Sequence, residues 1–392
     1  MQAAIRRRYA APAVAAVIAV ALAAGCPRES AERPSPSDVF ETEGHDVHVE
    51  IVTDELEHPW GLAFLPGGDA LVTERPGRLQ RLDMDTGETS EIGNAPDVAA
   101  IGQGGLLDVA LHPDFDENRW VYLTYAGAGG NGGAATHLGR GRLEGGALAD
   151  FELLHVAEPF HSGGRHFGSR IVFDEDGFLY YTSGDRGARA EAQDPSNAIG
   201  ATLRLEDDGG VPDDNPFVGE EGVEPAIYSY GHRNVQGMAI HPQTGRIWQN
   251  EHGPSGGDEI NLPESGQNFG WPLTSYGVEY GSGEAIGPDP HEHEGTAPPI
   301  YYWDESFAPS GMAFYDGDVF PEWRGDLFMG ALALEHLARL EVNGTTIAGE
   351  EALLEDLGWR VRDVRVGPDE HIYLLVDDDS APLVRLVPAT GG

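Results

Sequence analysis

The sequence predicts an all-β fold, a six-bladed β-propeller of four-stranded antiparallel blades. Three observations lead there. No long amphipathic helix stands out, while 54 glycines separate short runs rich in β-branched and aromatic residues. One pattern returns six times: a small or polar residue, an apolar pair, a Pro/Asp/Gly turn, then an aromatic-rich strand. The copies start at Gly61, Asp108, Arg170, Gly237, Gly311 and Asp363, at spacings of 47, 62, 67, 74 and 52 residues. Units of that size with hairpins inside them are propeller blades.

The elements follow in chain order. Residues 1–25 hold no acid, carry Arg6, Arg7 and Arg8, and continue as an apolar run from Ala10 to Ala24. They read as a secretory signal peptide. It ends in Leu22-Ala23-Ala24-Gly25-Cys26, which resembles the bacterial lipoprotein cleavage box, and Cys26 is the single cysteine of the chain. The reading is a lipidated Cys26 on a periplasmic or cell-surface protein anchored to a membrane through lipid alone, against an ordinary signal peptide with a chance cysteine. Residues 26–45 are Pro/Ser/Glu-rich and suit a flexible tether. Residues 46–392 form the propeller. After the sixth copy only "PLVRLVP" remains, so that blade lacks a strand, and "VHVEIV" from Val47 to Val52 is expected to complete it and close the ring.

The 392 residues carry 24 basic side chains, all arginine, against 66 acids, a formal charge of −42. Nucleic-acid binding is excluded because phosphate recognition needs a basic face. The absence of lysine removes Schiff-base and Walker-type phosphate chemistry. An acidic, lysine-free surface suits solubility in high salt. The 14 Phe, 13 Tyr and 7 Trp are enough for a core, so the charge belongs to a folded surface.

Chemistry on a propeller sits on loops around the central channel. His166, flanked by glycines before the third copy's first strand, is a candidate general base; the alternative is a structural histidine among 15. The segment from Ser229 to Pro272 packs together Arg233-Asn234, a Gly/Pro/Ser loop from Gly253 to Gly257, the acids Asp258-Glu259 and a turn from Asn268 to Trp271. Carboxylates beside free carbonyls suit Ca²⁺, with solvated acids as the alternative. Arg360 and Arg362 share one face of a strand, where they would clasp a polyanion or pair with surface acids. Gln103 lies in a glycine loop at the matching point of the second copy. The acidic run from Glu206 to Phe217 and the pair His291 and His293 read as solvated turns rather than metal sites.

Seven stretches in order, "HPWGLAFLP", "GQGGLLDVALHPDF", "HFGSRIVFDEDGFLYYTSGDRG", "GHRNVQGMAIHP", "NEHGPSGGDEIN", "NFGWP" and "RVRDVRVGPD", resemble the soluble aldose sugar dehydrogenases. These belong to the quinoprotein glucose/sorbosone dehydrogenase family, which uses pyrroloquinoline quinone (PQQ) and calcium. The resemblance implies a six-bladed propeller and oxidation of an aldose to a lactone, with electrons passed to an external acceptor. It implies that His166 removes the proton of the anomeric hydroxyl while the C1 hydride passes to PQQ. Gln103, Arg233, Asn234, Tyr280, Arg360 and Arg362 would contact PQQ. The carbonyls of Gly253 and Pro254 would hold the Ca²⁺ that polarises it, and Glu259 with the Phe269 carbonyl would bind a second, structural Ca²⁺. Ala331, Leu332 and Ala333 fall where well-studied members offer PQQ a lysine, Ala333 being its counterpart. Arg165 stands where the glucose-oxidising branch has an aspartate. Two other activities compete with this one: a calcium-dependent lactonase-type hydrolase on the same scaffold, and a non-catalytic surface binding propeller.

Overall fold

The computed structural model describes residues 35–389 other than 37, 131, 289 and 290. Cys26 and the signal segment lie outside the described residues. Within them the chain forms six sheets arranged as propeller blades. The first blade runs through Pro59–Phe64, Ala70–Glu74, Arg78–Leu82 and Thr89–Ile92. The second uses Leu106–Leu111, Trp120–Ala128, Ala134–Glu144 and Ala147–His161. The third uses Ile171–Phe173, Leu179–Ser183, Ala201–Leu205 and Ile227–Tyr230, and the fourth Val235–Ile240, Ile247–Glu251, Asp258–Asn261 and Tyr301–Trp303. The fifth comprises Pro309–Phe314, Leu327–Ala331, His336–Asn343 and Thr346–Leu353. The sixth has Val361–Val366, Ile372–Val376 and Ala381–Pro388, completed by Val47–Leu56.

The closing strand pairs antiparallel with Ala381–Pro388, in a register from Val47 opposite Pro388 to Leu56 opposite Ala381. It runs four residues beyond the predicted Val52, and it covers the outer edge of Ala381–Pro388. Part of the stretch read as a tether packs on the propeller. Phe40 bridges to Val47, and the Glu43 carbonyl accepts a hydrogen bond from Trp323 Nε1 at 2.8 Å. Between blades the core is aromatic and aliphatic; Trp248, Tyr301, Trp303 and Phe307 join the fourth blade to the fifth.

The six copies share a position in space as well as in sequence. In five of the six innermost strands the pairing register slips beside the first residue of the copy. A bulge there re-aims that residue, and at these positions the charged side chains meet across the middle of the ring. Asp108, Arg170 and Asp363 are buried and linked: Arg170 Nη1 donates to Asp108 at 3.1 Å and to Asp363 at 2.9 Å. Arg365 donates to both acids as well, at 3.1 and 2.9 Å, so two guanidiniums balance two carboxylates. The other three copies begin with glycine; at Gly61 and Gly311 the buried acids take the space, and at Gly237 the Ser310 carbonyl and the Asn250 amide do. A Cβ on Gly61 would sit 2.7 Å from Asp108 Oδ1, and one on Gly311 1.9 Å from Asp363 Oδ1. Trp60 lies over the Arg170 guanidinium, 4.3 Å from ring centroid to Cζ, and forms part of the wall of the cavity described next.

The 74-residue spacing between the fourth and fifth copies also has a structural cause. Before the fourth blade's last strand, the chain leaves it and adds Gln267–Asn268 as a fifth, parallel strand on the third blade. The turn carrying Phe269 and Trp271 follows directly and is thereby held beside the third-blade loops.

Candidate active site

His166 enters the third blade with φ 55°, a left-handed conformation uncommon for a residue with a side chain. Gly184 permits it, since a Cβ there would fall 2.2 Å from the His166 carbonyl oxygen. Two neighbours fix the loop: Gln103 Oε1 accepts the His166 N–H at 2.7 Å, and Asn234 Oδ1 accepts the Gly168 N–H at 3.2 Å. His166 Nδ1 lies 2.6 Å from Asp185 Oδ1. The same buried carboxylate accepts the Gly187 N–H at 2.7 Å and Trp271 Nε1–H at 2.8 Å. An ionised carboxylate only accepts, so the neutral imidazole carries its proton on Nδ1 and leaves the Nε2 lone pair free. Burial lowers the His166 pKa below the ordinary histidine value, helped by the charges of Arg233 and Arg165 and opposed by Asp185. Burial also disfavours the Asp185 charge, but the bonds from His166 and Gly187 outweigh it and leave that carboxyl below its usual range.

Beside this pair lies a cavity of about 270 Å³ lined by Trp60, Gln103, Phe167, Gly168, Leu332, Ala333, Arg360 and Arg362 among others. Arg75 and Asp377 complete its polar wall. Arg362 donates to Gln236 Oε1 at 3.1 Å and to Asp377 at 3.3 Å, yet its buried Nε finds no partner. Arg360 donates to the Leu332 carbonyl at 2.7 Å and reaches Asp377 at 3.5 Å. Burial works against the Asp377 charge, but Arg362, His58, Arg75 and Arg360 together hold it far below the ordinary range. Three guanidiniums against one carboxylate make this wall cationic in a strongly acidic protein.

A second, much smaller cavity of about 10 Å³, room for about one water or ion, is lined by Arg233, Glu251, Gly253, Glu259, Phe269 and Trp271 among others. His252 belongs to the walls of both cavities. Arg233 is buried, donates through Nη1 to the His252 carbonyl at 2.9 Å, and leaves Nε unpartnered. Glu251 is fully engaged by His232, Asn261 and the Arg233 N–H. Glu259 has a single bond, from Asn261 at 3.3 Å. Burial and the neighbouring Glu251 charge push its carboxyl well above the ordinary range. Asp258 clamps the loop by accepting N–H bonds from Gly253, Phe307 and Ala308 at 2.7, 2.6 and 2.6 Å. Among the described residues no hydrogen bond is donated to the carbonyl oxygens of Gly253, Pro254 or Phe269. No group of three or more His, Cys, Asp or Glu side chains in the described residues is arranged to hold a metal, so an ion here would need these carbonyls beside the Glu259 carboxyl.

The structure thus gathers His166, Gln103, Arg233 and Asn234 around one end of the ring. Leu332, Ala333, Arg360 and Arg362 line the central cavity together with Gln103, and Gly253, Glu259 and Phe269 line the small one. Ala331 and Tyr280 are placed elsewhere. Ala331 ends a strand and is fully buried in the core between the fourth and fifth blades, while Tyr280 stands 64% exposed on a loop and lines none of these cavities. Asp185, Trp271, Arg75 and Asp377 were not singled out by sequence reasoning. Asp185 and Trp271 lie inside the quoted "TSGDRG" and "NFGWP" stretches, but 86 residues separate them, so their pairing on one histidine is visible only in three dimensions.

The glucose / sorbosone dehydrogenase family profile matches residues 56–385. The aldose sugar dehydrogenase YliI of Escherichia coli (strain K12) is 44% identical over 345 residues, spanning 87% of this chain and 93% of that protein. Quinoprotein glucose dehydrogenase B of Acinetobacter calcoaceticus is 30% identical over 281 residues, 61% of this chain and 55% of that protein. Among solved structures, the apo-form of the soluble aldose sugar dehydrogenase from Escherichia coli superposes with a TM-score of 0.85 at 44% identity, covering 88% of this chain and 100% of that one. The PQQ-bound aldose sugar dehydrogenase from Streptomyces coelicolor gives a TM-score of 0.72 at 30% identity, covering 87% and 98%.

Proposed function

The chain belongs to the glucose/sorbosone dehydrogenase family, and from that premise we propose that it is a PQQ-dependent dehydrogenase oxidising the C1 hydroxyl of aldose sugars to lactones. The observation that carries the reading is the Asp185-held His166, its Nε2 free, beside a cavity walled by arginines.

The residues present suit PQQ, a planar tricarboxylate. Arg360 and Arg362 supply cationic donors, and the buried, unpartnered Nε atoms of Arg362 and Arg233 are donors that an anionic ligand satisfies. Bound there, PQQ supplies an ortho-quinone that accepts hydride. His166 does the protein's part of the chemistry. Its Nε2 takes the proton of the C1 hydroxyl as the C1–H bond breaks and the C1=O bond of the lactone forms. Asp185 steadies the imidazolium through Nδ1, and Arg233 presents fixed positive charge where negative charge develops. Gly253 and Pro254 offer carbonyl oxygens for a Ca²⁺ acting as Lewis acid, and Glu259 with the Phe269 carbonyl offers a second, structural place. Glu259 with a bound cation would stay ionised. An external electron acceptor completes the cycle. The protein acts at the periplasmic or cell-surface side, tethered by lipid at Cys26.

The test is reconstitution of purified protein with PQQ and Ca²⁺, followed by dye reduction with a panel of aldoses. Turnover that depends on PQQ and is lost in His166→Ala supports the reading. Failure to bind PQQ, undiminished turnover in His166→Ala, or lactone hydrolysis without quinone overturns it.

A further inference from the structure

Among the three arginines of the central cavity, Arg75 is distinct. Arg360 and Arg362 are each tied to Asp377 and to a second protein oxygen. His58 Nδ1 also lies 3.0 Å from Asp377, so three side chains already share that carboxylate. Arg75 lines the same wall half-buried, and among the described residues its side chain makes no hydrogen bond, ion pair or ring contact. Its main chain is nevertheless pinned at both ends. The Arg75 N–H donates to the His58 carbonyl at 3.0 Å, and its own carbonyl accepts the Leu106 N–H at 3.1 Å, joining the first blade to the second. A held backbone that presents a free guanidinium to a cavity, in a chain with 66 acids and 24 bases, is a donor awaiting an anion. In the lining of the same cavity Ala333 contributes only a methyl group.

We propose that Arg75 is a cofactor-binding residue, the cation that holds a carboxylate of the anionic ligand in the central cavity and supplies the charge that Ala333 does not. The proposal rests on the PQQ reading above. A charge-assisted hydrogen bond to a carboxylate in a partly dry site carries roughly ten- to hundredfold in affinity. The residue has no part in proton transfer, so the effect falls on binding.

The test is titration of PQQ into the Ca²⁺-supplemented apoprotein, read by calorimetry and by quenching of tryptophan fluorescence, Trp60 being in the cavity wall. Wild type, Arg75→Lys, Arg75→Gln and Arg75→Glu are compared. The expected dissociation constants rise in that order, with Arg75→Lys within a few fold of wild type and Arg75→Gln weaker by roughly ten- to hundredfold. The salt dependence of binding is expected to flatten in Arg75→Gln, which a merely structural role would not produce. The Arg75 side chain makes no hydrogen bond among the described residues, but its charge favours ionised Asp377, so only Arg75→Lys, which keeps that charge, is expected to keep the wild-type melting temperature without PQQ. Wild-type affinity in both Arg75→Gln and Arg75→Glu overturns the assignment to Arg75 while leaving the PQQ reading intact. No binding by the wild type overturns both.

Discussion

Replacing Asp185 by asparagine keeps the size of the side chain and removes its charge. Asp185 holds His166 Nδ1 at 2.6 Å and Trp271 Nε1 at 2.8 Å with its two oxygens, so an amide must turn its NH₂ toward one of them. Facing His166, it donates to Nδ1 and moves the imidazole proton to Nε2, occupying the base. Facing Trp271, it sets two donors against each other. Either way the bond to a developing imidazolium loses its charge, worth about 1.5–3 kcal/mol, or roughly a 10- to 150-fold fall in kcat. The pH profile supplies a second readout. Burial already lowers the His166 pKa, so the wild-type acid limb of kcat/KM lies below the ordinary value of about 6.5, and activity is lost as pH falls through it. Asp185 is the group that raises this pKa, so Asp185→Asn moves the acid limb further down. PQQ affinity should change little because Asp185 does not line the central cavity. The assay is steady-state dye reduction by the PQQ- and Ca²⁺-loaded protein across the acid range. A variant with wild-type kcat and an unmoved acid limb refutes the reasoning.

Asp363→Ala leaves Arg170 and Arg365 each with a lost partner in the buried network, and a cost of about 3–5 kcal/mol is expected in urea unfolding. Gly311→Ala should destabilise too, since its Cβ would lie 1.9 Å from Asp363 Oδ1; an unchanged unfolding midpoint in either variant contradicts the network's role. Ca²⁺ at about 100 times its dissociation constant should stabilise the wild type by about 2.7 kcal/mol. Glu259→Gln should lose much of that gain in a thermal melt with and without Ca²⁺, and an undiminished gain would remove Glu259 from the ion's ligands.

Much of the fold was legible because its repeat is simple. The first residues of the six copies, Gly61, Asp108, Arg170, Gly237, Gly311 and Asp363, mark equivalent positions at the middle of the ring, so the blade count could be read directly from the spacings. The missing strand of the last blade was legible because each blade needs four strands and the last copy supplied only three. What those residues do together was not: the glycines opposite a charge lie 47 and 52 residues from it in sequence, and the ion pair of Arg170 with Asp363 spans 193. The strand Gln267–Asn268 was hidden because two residues carry no periodicity. His166 and the arginine pair at 360 and 362 could be picked as candidates from residue type and local context. Asp185 and Arg75 were not, because each acts through a neighbour or a cavity supplied by other blades. Ala331 shows the reverse error. It adjoins the cavity residues Leu332 and Ala333 in sequence, but strand pairing with His336 turns it into the core.

The central claim is that His166 takes the substrate's proton. The most direct measurement is the single-turnover rate at which an aldose reduces the PQQ-loaded protein, compared between wild type and His166→Asn, with bound PQQ quantified in the same samples. Equal PQQ occupancy and a rate lower by roughly 10²- to 10⁴-fold in the variant is the predicted result; equal occupancy with an equal rate would contradict it.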